Sequence, residues 1–277
     1  MKNIIKNITP PFLYSWFRRI IIRPIKFLPI WVTLSYEPMD GVRMFFDPKG
    51  PWQKKIIDNS YDDFFFDRLK KMNLKGKTIY DIGAHVGFHS LYFARLVGSR
   101  GRVYAFEPNP KNIERFSFII RENNDLVPIV SIFDVALSDK RGVEVFTMNN
   151  EVSSGRSSGG FIDSADTIWD REAFKQRGFF EIKVKTIPLD CVKESLGIER
   201  TPDIMKIDVE GAESLVLMGA KETITKYRPI ILLEIHSMIN MFKVVSFFSP
   251  LNYDLQILKE ERDGRCFVEA KPNKTSL

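Results

Sequence analysis

An open α/β fold, with a mostly parallel sheet and helices on both faces, is what three observations in this sequence predict. The stretch TIYDIGAHVGFHSLYFARL, residues 78–96, passes from an apolar, β-branched run through a glycine-bearing turn into a helical pattern. Later apolar runs also close on acids, at RVYAFE (102–107), DIMKID (203–208) and RPIILLE (228–234). Between these runs lie helix-like stretches, and that alternation builds parallel sheets. The size agrees: 277 residues, 44% hydrophobic and 27% charged, suit one large domain with extensions.

The basic excess is confined to the start of the chain. Residues 1–36 carry Lys2, Lys6, Arg18, Arg19, Arg23 and Lys26 and no acid, so the remaining body is balanced at 35 basic and 35 acidic residues. A neutral body argues against a nucleic-acid partner despite the net charge of +6. The stretch from Pro10 to Leu34 mixes aromatics and isoleucines with four cations and is broken by Pro24 and Pro29. It has no uncharged run long enough to span a bilayer and no signal-peptide pattern. Two readings stay open: an arm packed on the domain or on a second subunit, and an interfacial anchor drawn to anionic lipid. Vesicle binding that high salt abolishes would select the second. The oligomeric state is not legible. Cys191 and Cys266 lack paired spacing, which suits a reducing, cytoplasmic compartment with two packed thiols.

From Tyr36 to Asn73 the pattern predicts a short strand or hairpin at VRMFF and one or two helices that cover the site's edge, with helical spacing at Ile56, Phe64, Phe65 and Leu69. Residues 1–73 thus form an arm and covering helices, residues 74–271 the main domain, and residues 272–277 a frayed tail. In the first strand–turn–helix unit, Gly83 and Gly87 let the backbone turn and approach a ligand. Asp81 stands at the strand's carboxyl end, where open α/β sheets bind ligands. His85 occupies the place of the middle glycine in a dinucleotide fingerprint, which weakens a phosphate cradle. Glu107, 24 residues after Gly83 at the end of the next strand, is placed to hold the vicinal hydroxyls of a ribose.

IVSIFDVA (129–136) reads as the third strand, VEVFTMN (143–149) as an added one, and SSGRSSGG (153–160) as a solvated loop. An irregular or helical insertion covers 161–181, and FEIKVKTIPLD then alternates as a strand. After DIMKID, Gly211 opens a helix toward Met218. RPIILLEI, almost continuously apolar, is a central strand. A helix near 240–248 and two closing strands, DLQILK and RCFVEA, joined at the turn Asp263–Gly264, complete the chain.

Four segments in this order resemble the S-adenosylmethionine-dependent methyltransferases of the FkbM type: DIGAHVGFHS (81–90), AFEPNP (105–110), VALSD (135–139) and the most distinctive, KIDVEGAE (206–213). LLEIH (232–236) also fits, and the resemblance covers about residues 75–260. His85 is a departure, because the family more often has Asn there. The resemblance implies a Rossmann-like, seven-stranded class I methyltransferase sheet with an antiparallel strand near one edge. It implies S-adenosylmethionine as cofactor, with Gly83, His85 and Gly87 around its amino-acid end. Asp81 would hold the ammonium group directly or through water, Glu107 the ribose, and Asp134, Val135 and Ala136 the adenine edge. It implies transfer to a hydroxyl oxygen of a sugar or other glycan-type acceptor, for which the basic arm would suit work at the inner membrane face.

Removing a hydroxyl proton calls for a base or a metal. Asp208, Glu210, Glu234 and His236 fall at the ends of two strands expected to be adjacent. His236 is the expected base, on the strength of its ordinary pKa near 6.5. Asp208 and Glu234 could instead hold Mg²⁺. Lys206, two positions before Asp208, points to the same side and should pair with an acid. His89 is expected near the cavity without a catalytic part. The rivals are a nicotinamide-dependent oxidoreductase, disfavoured by the missing middle glycine and by KIDVEGAE, and a non-catalytic scaffold with the same fold. Cofactor titration separates all three.

Overall fold

The computed structural model describes residues 29–48, 50–148, 160–166, 178–261 and 264–273. The arm before residue 29, most of the 153–160 loop, the insertion between 167 and 177, the turn residue Asp263 and the end of the expected tail lie outside the described residues.

A seven-stranded sheet forms the centre. Its strands are β3 (Thr78–Ile82), β4 (Arg102–Phe106), β5 (Val130–Phe133), β10 (Ile204–Ile207), β11 (Ile230–Ile235), β12 (Tyr253–Glu260) and β13 (Cys266–Pro272). Their spatial order is β12-β13-β11-β10-β3-β4-β5. The five strands from β11 to β5 are parallel, and β13 runs antiparallel to both its neighbours. The order reverses between β3 and β10, so their carboxyl ends flank the crevice where such sheets bind ligands. All of TIYDI in β3 and all of IMKI in β10 are buried, as strands covered on both faces must be.

Helices α3 (Phe88–Val97) and α4 (Pro110–Arg121) follow β3 and β4. The first begins at Gly87, whose φ of +88° is a glycine conformation. The second begins where Asn109 accepts a hydrogen bond from the Lys111 amide at 3.0 Å, with Pro110 in the first turn. Two apolar layers sandwich the sheet. One gathers α3, α4, a hairpin of β1 (Ile30–Thr33) and β2 (Arg43–Phe46), and the short helices α1 (Pro51–Ile57) and α2 (Asp63–Lys70). The other gathers α5 (Val192–Leu196), α6 (Glu213–Met218), α7 (Lys221–Tyr227) and α8 (Met238–Phe248).

The hairpin shows what becomes of the described end of the basic stretch. Trp31 packs on Phe45 and Phe118 at ring separations of 5.1 and 5.0 Å, and Leu34 is buried. Residues 30–34 therefore belong to the domain's packing.

Two corrections concern the middle of the chain. The run read as one strand to Ala136 breaks after Phe133: the Val135 amide turns back onto the Phe133 carbonyl at 3.1 Å, and β6 (Ala136–Leu137) joins a different sheet. VEVFTM is not appended to the main sheet either. As β7 (Gly142–Met148) it pairs with β8 (Phe161–Ile162) and β9 (Phe180–Ile187), giving a second sheet in the order β6-β9-β7-β8 with its own small core. Periodicity marks strands but does not say which sheet they enter. Cys191 and Cys266 are free thiols, and only Cys266 is buried.

Candidate active site

A cavity of about 290 Å³ opens at the carboxyl ends of β3, β4, β10 and β11. Gly83, His85 and Glu107 form one wall, Val135 and Ala136 lie at its side, and Asp208, Glu210, Glu234 and His236 form the opposite wall. Trp52, at the start of α1, and Tyr61, just before α2, cover it, so the segment expected to shield the site's edge reaches the cavity.

Gly83 and Gly87 differ in what they do. At Gly83, φ is +82°, and a Cβ would lie 1.8 Å from the Asp208 carbonyl oxygen. Only glycine lets this loop lie against the end of β10. Gly87 does not border the cavity, and a Cβ there would meet the Phe116 ring of α4 at 2.2 Å. The missing Cβ at Gly87 makes room for helix packing against Phe116.

Asp81 is fully buried behind the cavity wall and accepts a hydrogen bond from Ser90 Oγ at 2.5 Å. Lys206 bridges it to the site: its Nζ lies 3.5 Å from Asp81 Oδ1 and 3.2 Å from Asp208 Oδ2, and donates to the Gly83 carbonyl at 3.0 Å. Burial opposes the ammonium charge, but Asp208 and Asp81 outweigh it and hold the Lys206 pKa above its usual value. The expected pairing of Lys206 with an acid is thus present. Asp81 reaches the cavity through this lysine.

Glu107 is buried and already well engaged. Its Oε2 accepts from the His85 amide at 2.7 Å, and its Oε1 from the Asn109 amide at 2.9 Å and Asn112 Nδ2 at 3.2 Å. Burial nevertheless pushes its pKa up to about 7. His85 adopts φ +52° to present that amide, and its ring lies edge-on to Trp52 at 5.8 Å. Burial, with help from Arg115, lowers its pKa to about 3, so the ring is neutral. The Asp134 side chain is exposed and outside the cavity walls, whereas Val135 and Ala136 border the cavity. His89 borders it too, 3.2 Å from Asp62.

His236 sits at the centre of the acidic wall. Its Nδ1 meets the fully buried Glu213 Oε1 at 2.8 Å. Its Nε2 faces Glu210 Oε2 at 3.4 Å, Glu234 Oε1 at 3.7 Å and Asp208 Oδ1 at 3.8 Å. Burial disfavours the imidazolium, yet Glu210, Glu213 and Asp208 outweigh burial and raise the pKa well above 6.5. The ordinary pKa on which His236 was chosen as base is therefore absent. With these acids around it the ring holds its proton at neutral pH.

A raised folded-state pKa means that the ring's stabilising contribution is complete below the unfolded value near 6.5 and is lost as pH rises through the folded value. Removing the ring leaves the acids without this partner, so His236→Ala should lower unfolding free energy by about 3 kcal/mol or more at pH 6. Denaturant titration measures this, and an unchanged midpoint would contradict it.

Glu213 and Glu210 are the residues that sequence reasoning left without roles. Glu213 buries its carboxylate under Gly211, whose amide donates to it at 2.9 Å. Glu210 takes φ +52°, a strained conformation for a non-glycine residue, and turns its carboxylate into the cavity. Their place in the acid-rich run KIDVEGAE was the available signal.

An open sheet with one antiparallel strand beside its edge, a cavity at the switch point and an acid after the second strand give the chain the fold of the class I S-adenosylmethionine-dependent methyltransferases. The methyltransferase FkbM domain model matches residues 81–260, and the chain belongs to that family. Among curated relatives, the 2-O-methyltransferase NoeI of Sinorhizobium fredii is 31% identical over 54% of this chain and 60% of its own length. The hexuronic acid methyltransferase AglP of Haloferax volcanii is 27% identical over 71% of each chain. A crystal structure of methyltransferase FkbM from Methylobacillus flagellatus shares the fold, with a TM-score of 0.52 and 13% identity over 73% of this chain and 46% of that one. No helix among the described residues is long and apolar enough to cross a membrane.

Proposed function

We propose that this protein transfers a methyl group from S-adenosylmethionine to a hydroxyl oxygen of a saccharide acceptor. The observation that carries this reading is the two-sided cavity, with Glu107 on one wall and the acids of β10 and β11 on the other. The relatives named for 2-O-methylation and for hexuronic acid support a sugar acceptor. Trp52 and Tyr61 add aromatic surface that a sugar's C–H face can cover.

The residues suit the cofactor. Glu107 borders the cavity with three donors already placed and, on a carboxylate with about four acceptor positions, about one left for a ribose hydroxyl. The bound cofactor supplies a methyl group on a sulfonium whose departure leaves a neutral thioether. The chain's task is to place the acceptor oxygen and take its proton. As the oxygen–carbon bond forms and the carbon–sulfur bond breaks, the hydroxyl proton passes to a carboxylate on the acidic wall. Glu210 is the proposed acceptor, because it faces the cavity from a strained backbone, whereas Lys206 pairs with Asp208 and Arg265 with Glu234. His236 then positions the acidic wall. The basic residues of 1–36 would favour acceptors presented at an anionic membrane surface.

Incubation with methyl-labelled S-adenosylmethionine and a panel of neutral and uronate-containing glycans tests the reading. Label should appear as a sugar O-methyl ether. Absence of transfer to every saccharide, with transfer to another acceptor class, would overturn it. The pH dependence of cofactor binding follows from Glu107. Donors on the ribose favour the carboxylate, so affinity should fall as pH drops below about 7, where the free side chain protonates. Calorimetric titration from pH 8 to 5.5 should show this fall, and Glu107→Gln should flatten it.

A further inference from the structure

We propose that Asp208, Glu234 and His236 bind a divalent cation of the Mn²⁺ type, with Glu213 as the positioning residue for the histidine. This goes beyond the methyl-transfer reading and deepens it by adding an ion to the same cavity wall. Among the described residues, these three offer ligand atoms that all lie within 4.8 Å of one another. Two ligands of one small cation, each about 2.1 Å from it, stand about 3.0 to 3.5 Å apart at right or tetrahedral angles. The distances from His236 Nε2 to Asp208 Oδ1 and Glu234 Oε1, 3.8 and 3.7 Å, approach that spacing, with Arg265, which donates to the same Glu234 Oε1 at 2.6 Å, giving way to the ion.

The histidine makes this more than a group of acids. Its ring is buried, and Glu213, fully buried and held by the Gly211 amide, engages Nδ1 at 2.8 Å. That acceptor keeps a proton on Nδ1 and aims Nε2 toward Asp208 and Glu234, so that a cation displacing the Nε2 proton would meet its lone pair. A carboxylate behind a histidine, which fixes ring and tautomer while the far nitrogen faces oxygen ligands, is how proteins prepare an imidazole for a metal. The charge count agrees. Asp81, Asp208, Glu210, Glu213 and Glu234 converge on a region where Lys206 and Arg265 are the permanent cations paired with them among the described residues. Lys206 holds Asp208 through Oδ2, while Oδ1 faces His236.

One imidazole nitrogen with two carboxylates suits Mn²⁺ and neighbouring first-row ions, with Mg²⁺ as a weaker competitor at the nitrogen position. An ion here would meet an acceptor hydroxyl in the cavity and lower its pKa, easing proton transfer to the adjacent Glu210.

The full-length chain, stripped with a chelator, should bind one Mn²⁺ saturably, as read by loss of the free-ion electron paramagnetic resonance signal. Asp208→Asn and Glu234→Gln should each weaken binding at least tenfold, and Glu213→Gln, which keeps the side chain's shape, by about 10 to 100-fold. Pulsed spectra should show nitrogen coupling that disappears in His236→Ala, a signature that a purely structural role would not give. Thermal unfolding of each variant shows that it is folded. No saturable binding, or affinity unmoved by these substitutions in folded protein, would overturn the site. Transfer to a saccharide without Mn²⁺ binding would sink the ion and spare the methyltransferase reading; Mn²⁺ binding without saccharide transfer would do the reverse.

Discussion

Gly83→Ala should destabilise the protein by about 3 kcal/mol or more and abolish methyl transfer. Two costs add. A residue with a Cβ loses about 1 kcal/mol at φ +82°. The new methyl would also sit 1.8 Å from the Asp208 carbonyl oxygen, a backbone atom that cannot rotate away. Relief requires the loop after β3 to part from the end of β10, and overpacking of that kind costs a further 1 to 3 kcal/mol or so. The displaced backbone carries His85 and Asp208 on opposite sides of the cavity. Gly41→Ala is the control, since Gly41 has φ +79° with nothing within 4 Å of an added Cβ. It should cost about 1 kcal/mol and leave activity intact. Equal midpoints for the two variants in urea would show that the clash at Gly83 is relieved without cost.

Glu210→Gln should lower kcat by about 10² to 10⁴-fold while cofactor affinity stays within about threefold of the parent. The amide keeps the side chain's size and its place on the cavity wall but cannot accept the hydroxyl proton. Single-turnover transfer to a saccharide acceptor, with cofactor binding measured separately, separates the two effects. A kcat within threefold of the parent would remove Glu210 as base and direct attention to Asp208. Parallel losses of turnover and cofactor affinity would make it structural.

These two residues also mark how far the sequence could be read. Gly83 was identifiable as a ligand-side glycine from its strand–turn–helix setting, but its neighbour across the switch point, Asp208, lies 125 positions away in the chain. Gly87 looked the same in sequence and turned out to accommodate Phe116, because helix packing and ligand approach make the same local demand for a missing Cβ. Glu210 and Glu213 stood within a recognisable acid-rich run, yet nothing local distinguishes a carboxylate turned into a cavity from one buried behind a histidine.

The succession of the main-sheet strands along the chain, the acids at their ends and the methyltransferase motifs were determined by the sequence alone, because hydrophobic period, glycine and terminal acid are local properties of the chain. Which sheet β6 to β9 joined was decided by tertiary structure, since pairing depends on partners distant along the chain. So was the protonation of His236. An isolated imidazole titrates near 6.5, but four carboxylates, brought together by two adjacent strands and the start of α6, raise it well above that value. A pKa belongs to an environment, and that environment exists only once the sheet has formed.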